Sequence, residues 1–281
     1  MRRLRSLLFA GLVASGLVGL ACSGYDGGGD ARIVPLAQSS LDGGPGGGRD
    51  GSSSDARIDG RAPPAPPPEE VDVSSDLFAY WRFDGDAQDS SGSGRNLSTS
   101  TTGGEPLWVT GRIGTAARLV DVNNQFTRNT QDPELSFQGD LTLQAWVRVS
   151  DPGAPDFLLA DTVNTSNNTG WVLWYGDQGP RFTAPQAFTA AASVAVTADD
   201  WHHVVMVFAS QASTFRLWHD GVLVKTMQVS SLPGPSTRSL SLGRSGQQER
   251  FIDEVAIWLR ALDEHEIQAL YNGGAGRPVL P

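Results

Sequence analysis

Cysteine is almost missing from this 281-residue chain, which has one, at position 22. That count excludes an internal disulfide and any zinc cluster built on thiolates. Positive charge is also scarce. Lys and Arg number 21 against 31 Asp and Glu, a net charge of −10, which is the wrong sign for gripping phosphate backbones, so nucleic acid is not an expected partner. No G-x-S-x-G elbow and no H-E-x-x-H helix occurs, and no strand-helix-strand rhythm that would suit a nucleotide-binding α/β fold. Histidine appears only four times, two of them adjacent in "WHHVVMVF", Trp201 to Phe208.

The chain begins with "MRRLRSLLFAGLVASGLVGLAC", three arginines followed by an apolar run from Leu7 to Leu20 and then small residues. This is the anatomy of a secretory signal peptide over residues 1–21, and the run is short for a stop-transfer helix. Ending on Cys22, it resembles a bacterial lipoprotein signal, although Gly19 stands where that family usually has an aliphatic residue. The resemblance implies lipidation of Cys22, export, and a membrane anchor through the N-terminal lipid in the bacterial cell envelope, at the outer membrane or cell surface. Cleavage by an ordinary signal peptidase near Ala21 is the alternative. Residues 22–72, with "LDGGPGGGRDGSSSDARIDGRAPPAPPPEE", have too little apolar surface to offset the cost of ordering. They read as a tether, with a root-mean-square reach of roughly 40 Å for about 50 residues.

Residues 73–281 read as an all-β domain. "LFAYWRF", "AARLVDV", "LTLQAWVRV", "GWVLWYG", "HHVVMVF", "TFRLWHDG", "LVKTMQV" and "SLSLG" alternate apolar and polar residues between Gly, Asn, Asp, Pro and Ser turns. Asp220-Gly221 predicts a tight hairpin turn of type I′. A single helix is expected in "LDEHEIQALYNGG", with Asp263 as cap, Glu266 completing a capping box, Leu262 stapled to Ile267, and Gly273 ending it. His265 then falls in its exposed first turn. Along a strand His202 and His203 point to opposite faces and cannot chelate one ion together. Both rows of that strand are largely apolar, which places it between neighbours on either side.

The order "YWRFDGDAQDSSGSGRNL", "GTAARLVDVNNQFTRNTQDPELSFQGDLTLQAWVRV", "DDWHHVVMVFASQASTFRLWHDGVLV" and "LSLGRSGQQERFIDEVAIWLRALDEHEIQALYNGG" resembles the laminin G-like, concanavalin A-like jelly-roll domain over about residues 76–274. The resemblance implies a sandwich of two curved antiparallel sheets with a short C-terminal helix. It also implies a structural calcium ion held by Asp84 and Asp253, with Asp86 or Asp89 and backbone oxygens completing the shell. The alternative is that Asp84 and Asp89 are turn residues and that Asp253 pairs with an arginine such as Arg250. Hydrolytic relatives of this fold carry Glu-x-Asp-x-x-Glu on one strand. None of the six glutamates of the folded region (Glu105, Glu134, Glu249, Glu254, Glu264, Glu266) opens that spacing, so no enzyme is expected.

The remaining expectation is binding of a glycan or glycoprotein, with a structural or adhesion module that takes a protein partner as the alternative. Sugars are held by aromatic faces beside amides and carboxylates. "DTVNTSNNTGWVLWYGDQGP" offers Asn164, Asn167 and Asn168 in a polar loop, Trp174 on the strand and Asp177 after it. Trp171, Leu173 and Tyr175 share one face of that strand, Val172 and Trp174 the other; if the leucine set is buried, Trp174 is the platform. Trp81, Trp146, Trp201, Trp218 and Trp258 are assigned to the core.

Overall fold

The runs of alternating residues form two stacked antiparallel sheets in a computed structural model that describes residues 71–99, 105–120, 124–128, 130–136, 138–153, 157–163, 169–235, 238–244 and 249–281. The signal segment, Cys22 and nearly all of the tether lie outside the described residues. In chain order the strands are β1 (Leu77–Trp81), β2 (Ser98–Thr99), β3 (Leu107–Thr110), β4 (Thr115–Leu119), β5 (Phe126–Thr127), β6 (Leu141–Val149) and β7 (Phe157–Asp161). They continue with β8 (Val172–Gly176), β9 (Gly179–Ala184), β10 (Phe188–Ala191), β11 (His202–Ala209), β12 (Thr214–His219), β13 (Val222–Gln228), β14 (Ser241–Arg244) and β15 (Arg250–Trp258).

Among the described residues, the first sheet has the order β13-β12-β11-β6-β15-β4-β3, with β1 also on β15. The second runs β10-β9-β8-β7-β14-β5-β2. Aromatic and aliphatic side chains from the two inner faces interdigitate, among them Trp171, Tyr175, Phe182, Met206, Phe215 and Ile257. Exclusion of this apolar surface from water is the main force holding such a sandwich together.

The first sheet is covered on its other face too. Tyr80, Val205, Val207, Trp218 and Trp258 pack there against the helix α1 (Glu264–Tyr271) and the segment that follows it. Every residue of β15 is therefore buried, while β13 at the sheet edge is mostly exposed. The helix starts as its sequence predicts: Asp263 accepts from the Glu266 N–H, and the Glu266 carboxylate accepts from the Asp263 N–H. Asn272, in the left-handed region, closes it one residue before Gly273.

Between β12 and β13, Asp220 and Gly221 have φ of 50° and 73°, the two positive values a type I′ turn requires. Gly221 is needed twice over, because a Cβ there would sit 2.6 Å from the Tyr271 ring. Trp81, Trp146, Trp218 and Trp258 are in the core, but Trp201 is only partly buried, since it precedes β11 and meets Phe251 edge-on at 6.4 Å.

Candidate functional site

The strand β8 decides what its aromatics can do. Trp171, just before it, and Leu173 and Tyr175 within it are fully buried between the sheets, and Trp171 donates its indole N–H to the Leu135 carbonyl at 2.7 Å. Strand alternation therefore turns Trp174 outward, where it is half-buried. It lies opposite Arg181 of β9, whose guanidinium carbon is 5.2 Å from the Trp174 ring centre. Asp177 is exposed at the tip of the β8–β9 hairpin, next to Gln178.

Asn164, Asn167 and Asn168 lie outside the described residues, but the base of their loop is fixed. Thr162 donates its backbone N–H to the Trp171 carbonyl at 2.8 Å. That base and Asp177 are at opposite ends of β8, six residues apart and so roughly 20 Å at the rise of a strand. Trp174 stands between them. Of the predicted residues, the described ones, Trp174 and Asp177, follow one another along one strand and into its turn.

The predicted calcium ligands divide into two kinds. Asp84 Oδ1 accepts from the Thr115 N–H at 2.7 Å, and Asp253 Oδ2 accepts from Arg112 and Ile113 N–H at 2.7 and 3.0 Å, so both carboxylates close on one turn between β3 and β4. The turn approaches so tightly that a Cβ on Gly114, whose φ is +56°, would lie 2.3 Å from Asp84 Oδ1. Asp86 and Asp89 sit elsewhere. Asp86 accepts from Gln88 N–H in its own turn, and Asp89 takes backbone N–H groups of Tyr80, Ser91 and Arg95. These bonds hold the Asp89 carboxyl below the usual carboxylate range although burial works against them.

Asp253 is completely buried and its Oδ1 has no hydrogen-bond partner. Burial, reinforced by the charges of Glu254 and Asp84, pushes its pKa up to about 8. Glu254 beside it, likewise buried, takes the Tyr80 hydroxyl on Oε2 and leaves Oε1 without a partner. Its pKa rises to about 7, from burial and the charge of Asp84. Arg250 donates instead to the backbone carbonyls of Gly243 and Asn124. An oxygen buried without a partner is costly, and a hard divalent cation would satisfy it, so Asp253 Oδ1 fits the calcium that the family resemblance implies, whereas Asp84 is exposed. Glu254, the next residue in the strand, is engaged by Tyr80 and is not gathered with Asp84 and Asp253 into one cluster among the described residues.

His202 and His203 diverge as alternation requires. His203 faces the helix side, fully buried, with Nε2 2.9 Å from Gln144 Oε1 and its ring stacked 5.0 Å from Trp146; burial pulls its pKa down to about 3. His202 faces the other sheet beside His219, which the sequence reading did not single out. The glutamates have structural occupations: Glu249 pairs with Arg118, Glu254 accepts from Tyr80, and Glu266 serves the helix cap and Arg260.

The model for the concanavalin A-like lectin/glucanases superfamily, of the laminin G type, matches residues 121–268. The chain belongs to this superfamily. Paraclostridial mosquitocidal protein 1 of Paraclostridium bifermentans is 23% identical to this superfamily member over 217 residues, 69% of the present chain and 17% of that protein. The solved binding domain of the same protein superposes with a TM-score of 0.60 at 20% identity, covering 72% of this chain and 53% of that one.

The binding domain of botulinum neurotoxin DC is similar at a TM-score of 0.57 in its complex with rat synaptotagmin II, at 14% identity, covering 71% of this chain and 52% of that one. In its complex with SialylT the score is 0.58 at 16% identity, over 71% and 51% of the two chains. The chain thus spans about half of each of these solved relatives. The solved relatives are binding domains by name.

Proposed function

We propose that this chain is a non-catalytic, lectin-like binding module for carbohydrate or glycoprotein, held at the bacterial cell envelope by a lipid on Cys22. The observation that carries the proposal is the orientation of Trp174: a strand whose other row is sealed in the core turns a half-buried indole outward, with the Arg181 guanidinium over its ring and Asp177 beyond. An aromatic face flanked by hydrogen-bonding groups is the usual means of holding a pyranose ring. Because the Asn164–Asn168 loop base, Trp174 and Asp177 are spread over roughly 20 Å of β8, the arrangement suits an extended glycan chain better than a terminal sugar. Calcium at Asp84 and Asp253 serves as a staple between the regions after β1 and in β15, replacing the disulfide that a one-cysteine chain cannot form.

Retention on immobilised polysaccharides tests the proposal. Trp174→Ala is expected to lose at least tenfold in retention with its melting temperature nearly unchanged, and unaltered retention would refute the assignment. For the anchor, Cys22→Ala is expected to move the chain from the membrane fraction to the soluble one.

A protein partner is the second reading, and one observation favours it. Strand β13 is an exposed sheet edge with Val222 62% and Leu223 44% exposed, which is the kind of edge that accepts an added strand.

A further inference from the structure

A second set of potential metal ligands lies away from the carboxylates near Gly114. His202 opens β11, His219 closes β12, and Asp220 begins the turn that follows. Val204 is paired with His219, so His202 and His219 are diagonal neighbours on the same face of the sheet, and their rings stack at 4.9 Å with 24° between the planes. Both histidines are almost fully buried, 7% and 6% exposed, while the Asp220 side chain is 30% exposed and opens the cluster to solvent. Among the described residues, one ligand atom from each of the three converges within 4.8 Å of the others.

The hydrogen bonds show how the groups are aimed. Asp220 Oδ2 lies 2.7 Å from His202 Nδ1 and 3.4 Å from His219 Nδ1, so both rings direct the same nitrogen at one oxygen. The far nitrogens are held from behind, His202 Nε2 by the Thr197 backbone at 3.3 Å and His219 Nε2 by the Tyr175 hydroxyl at 3.0 Å. Asp220 Oδ1 is occupied by the His203 N–H at 2.8 Å. A ligating histidine is characteristically fixed in this way, with one nitrogen presented to the metal and the other anchored on a carbonyl or hydroxyl.

The turn itself does not require a carboxylate. Asn fits a type I′ position as well as Asp, and its side-chain oxygen could still accept from the His203 N–H, so the turn alone does not call for the negative charge that faces the two imidazoles. Burial and the charge of His202 hold His219 below its usual pKa, whereas Asp220 outweighs burial to keep His202 above it.

We infer that His202, His219 and Asp220 form a binding site for a borderline divalent transition-metal ion, best suited to zinc. Two imidazole nitrogens and one carboxylate oxygen are the ligand set of three-ligand zinc sites, and the fourth position falls on the exposed Asp220 side. With zinc–ligand distances of about 2.0–2.2 Å, tetrahedral ligands stand about 3.4 Å apart, close to the spacing already present on the His219 side. Calcium is a poor fit, because it selects oxygen ligands. Occupancy would pin the β12–β13 turn against Tyr175 of the opposite sheet, one residue from Trp174.

The test is titration of the chelator-treated, untagged chain with zinc chloride by calorimetry, and with cobalt chloride by visible absorption. One zinc ion per chain is expected, with cobalt d–d bands showing imidazole ligation. His219→Asn and Asp220→Asn are expected to weaken zinc binding by roughly 100-fold or more, and His265→Asn to leave it unchanged. Asp220→Asn keeps the turn geometry, so its loss of zinc at an unchanged melting temperature separates ligation from misfolding. A folded parent chain that binds no zinc, or binding unaltered in both His219→Asn and Asp220→Asn, would overturn the inference.

Discussion

Asp253 carries the sharpest thermodynamic prediction, because in the absence of calcium it should make the protein less stable as the solution becomes more alkaline. Its carboxyl titrates at 3.8 in an exposed setting and at about 8 in the fold. A group whose folded-state pKa is raised contributes stability that is complete below the unfolded pKa and is lost as pH rises through the folded one. The loss per group is about 1.4 kcal/mol for each pH unit between the two values.

Moving from about pH 6.5 to about pH 8 crosses the upper part of the Asp253 interval and the end of the Glu254 interval, which closes near 7. His203, pulled down from 6.5 to about 3, acts mainly at lower pH and offsets only about 0.4 kcal/mol of the effect. The sum is a loss of about 2 to 3 kcal/mol. For a domain of this size that corresponds to a melting temperature lower by roughly 4–10 °C.

The assay is thermal unfolding by circular dichroism across this pH range, in chelator and in millimolar calcium. Calcium should abolish most of the decline, since the ion stabilises the ionised carboxylates and binds the folded state alone. Asp253→Asn sharpens the contrast. In chelator at the higher pH it should be as stable as the parent or more so, because a buried unpaired charge is gone, and in calcium it should be less stable. A melting temperature that stays flat or rises with pH in chelator, or a decline unaffected by calcium, would refute the reasoning.

Truncating the two neighbouring tryptophans should give opposite results: Trp171→Ala should cost about 3–5 kcal/mol by opening a cavity in the core, while Trp174→Ala should change stability by less than about 1 kcal/mol. Chemical denaturation of both variants checks this. Gly114→Ala should destabilise by about 1–3 kcal/mol, as its φ is +56° and the new Cβ would collide with Asp84, and it should also weaken any calcium response. Asp263→Ala should cost about 1 kcal/mol through loss of the helix cap, read as a lower denaturation midpoint.

The fold was legible wherever one period dominated. Strand β6 coincides with the run "LTLQAWVRV", and the capping box of α1 forms at the residues that signal it. Strand β15 gave no period-2 signal, because both its faces are covered and "FIDEVAIW" is nearly continuous in apolar residues. Trp174 was ambiguous for a similar reason: both rows of β8 are apolar, and only the packing of Trp171, Leu173 and Tyr175 against the opposite sheet fixes which row faces out.

The histidine cluster was hidden by a different obstacle. Alternation separates His202 from His203 correctly, but bringing His202 to His219 depends on the β11–β12 register, in which Val204 faces His219. The burial of Glu254 was not legible either, because it is held at φ 51°, at an irregularity in the β6–β15 pairing that a strand pattern does not reveal.

The most direct test of the binding assignment is a glycan array probed with the chain from Cys22 onward and with its Trp174→Ala variant, each in calcium and in chelator. The account predicts saturable binding to extended glycans by the parent in calcium, loss of at least tenfold in the variant, and weakening in chelator. A folded parent silent on every glycan in both conditions would contradict it and leave the β13 edge and a protein partner as the reading to pursue.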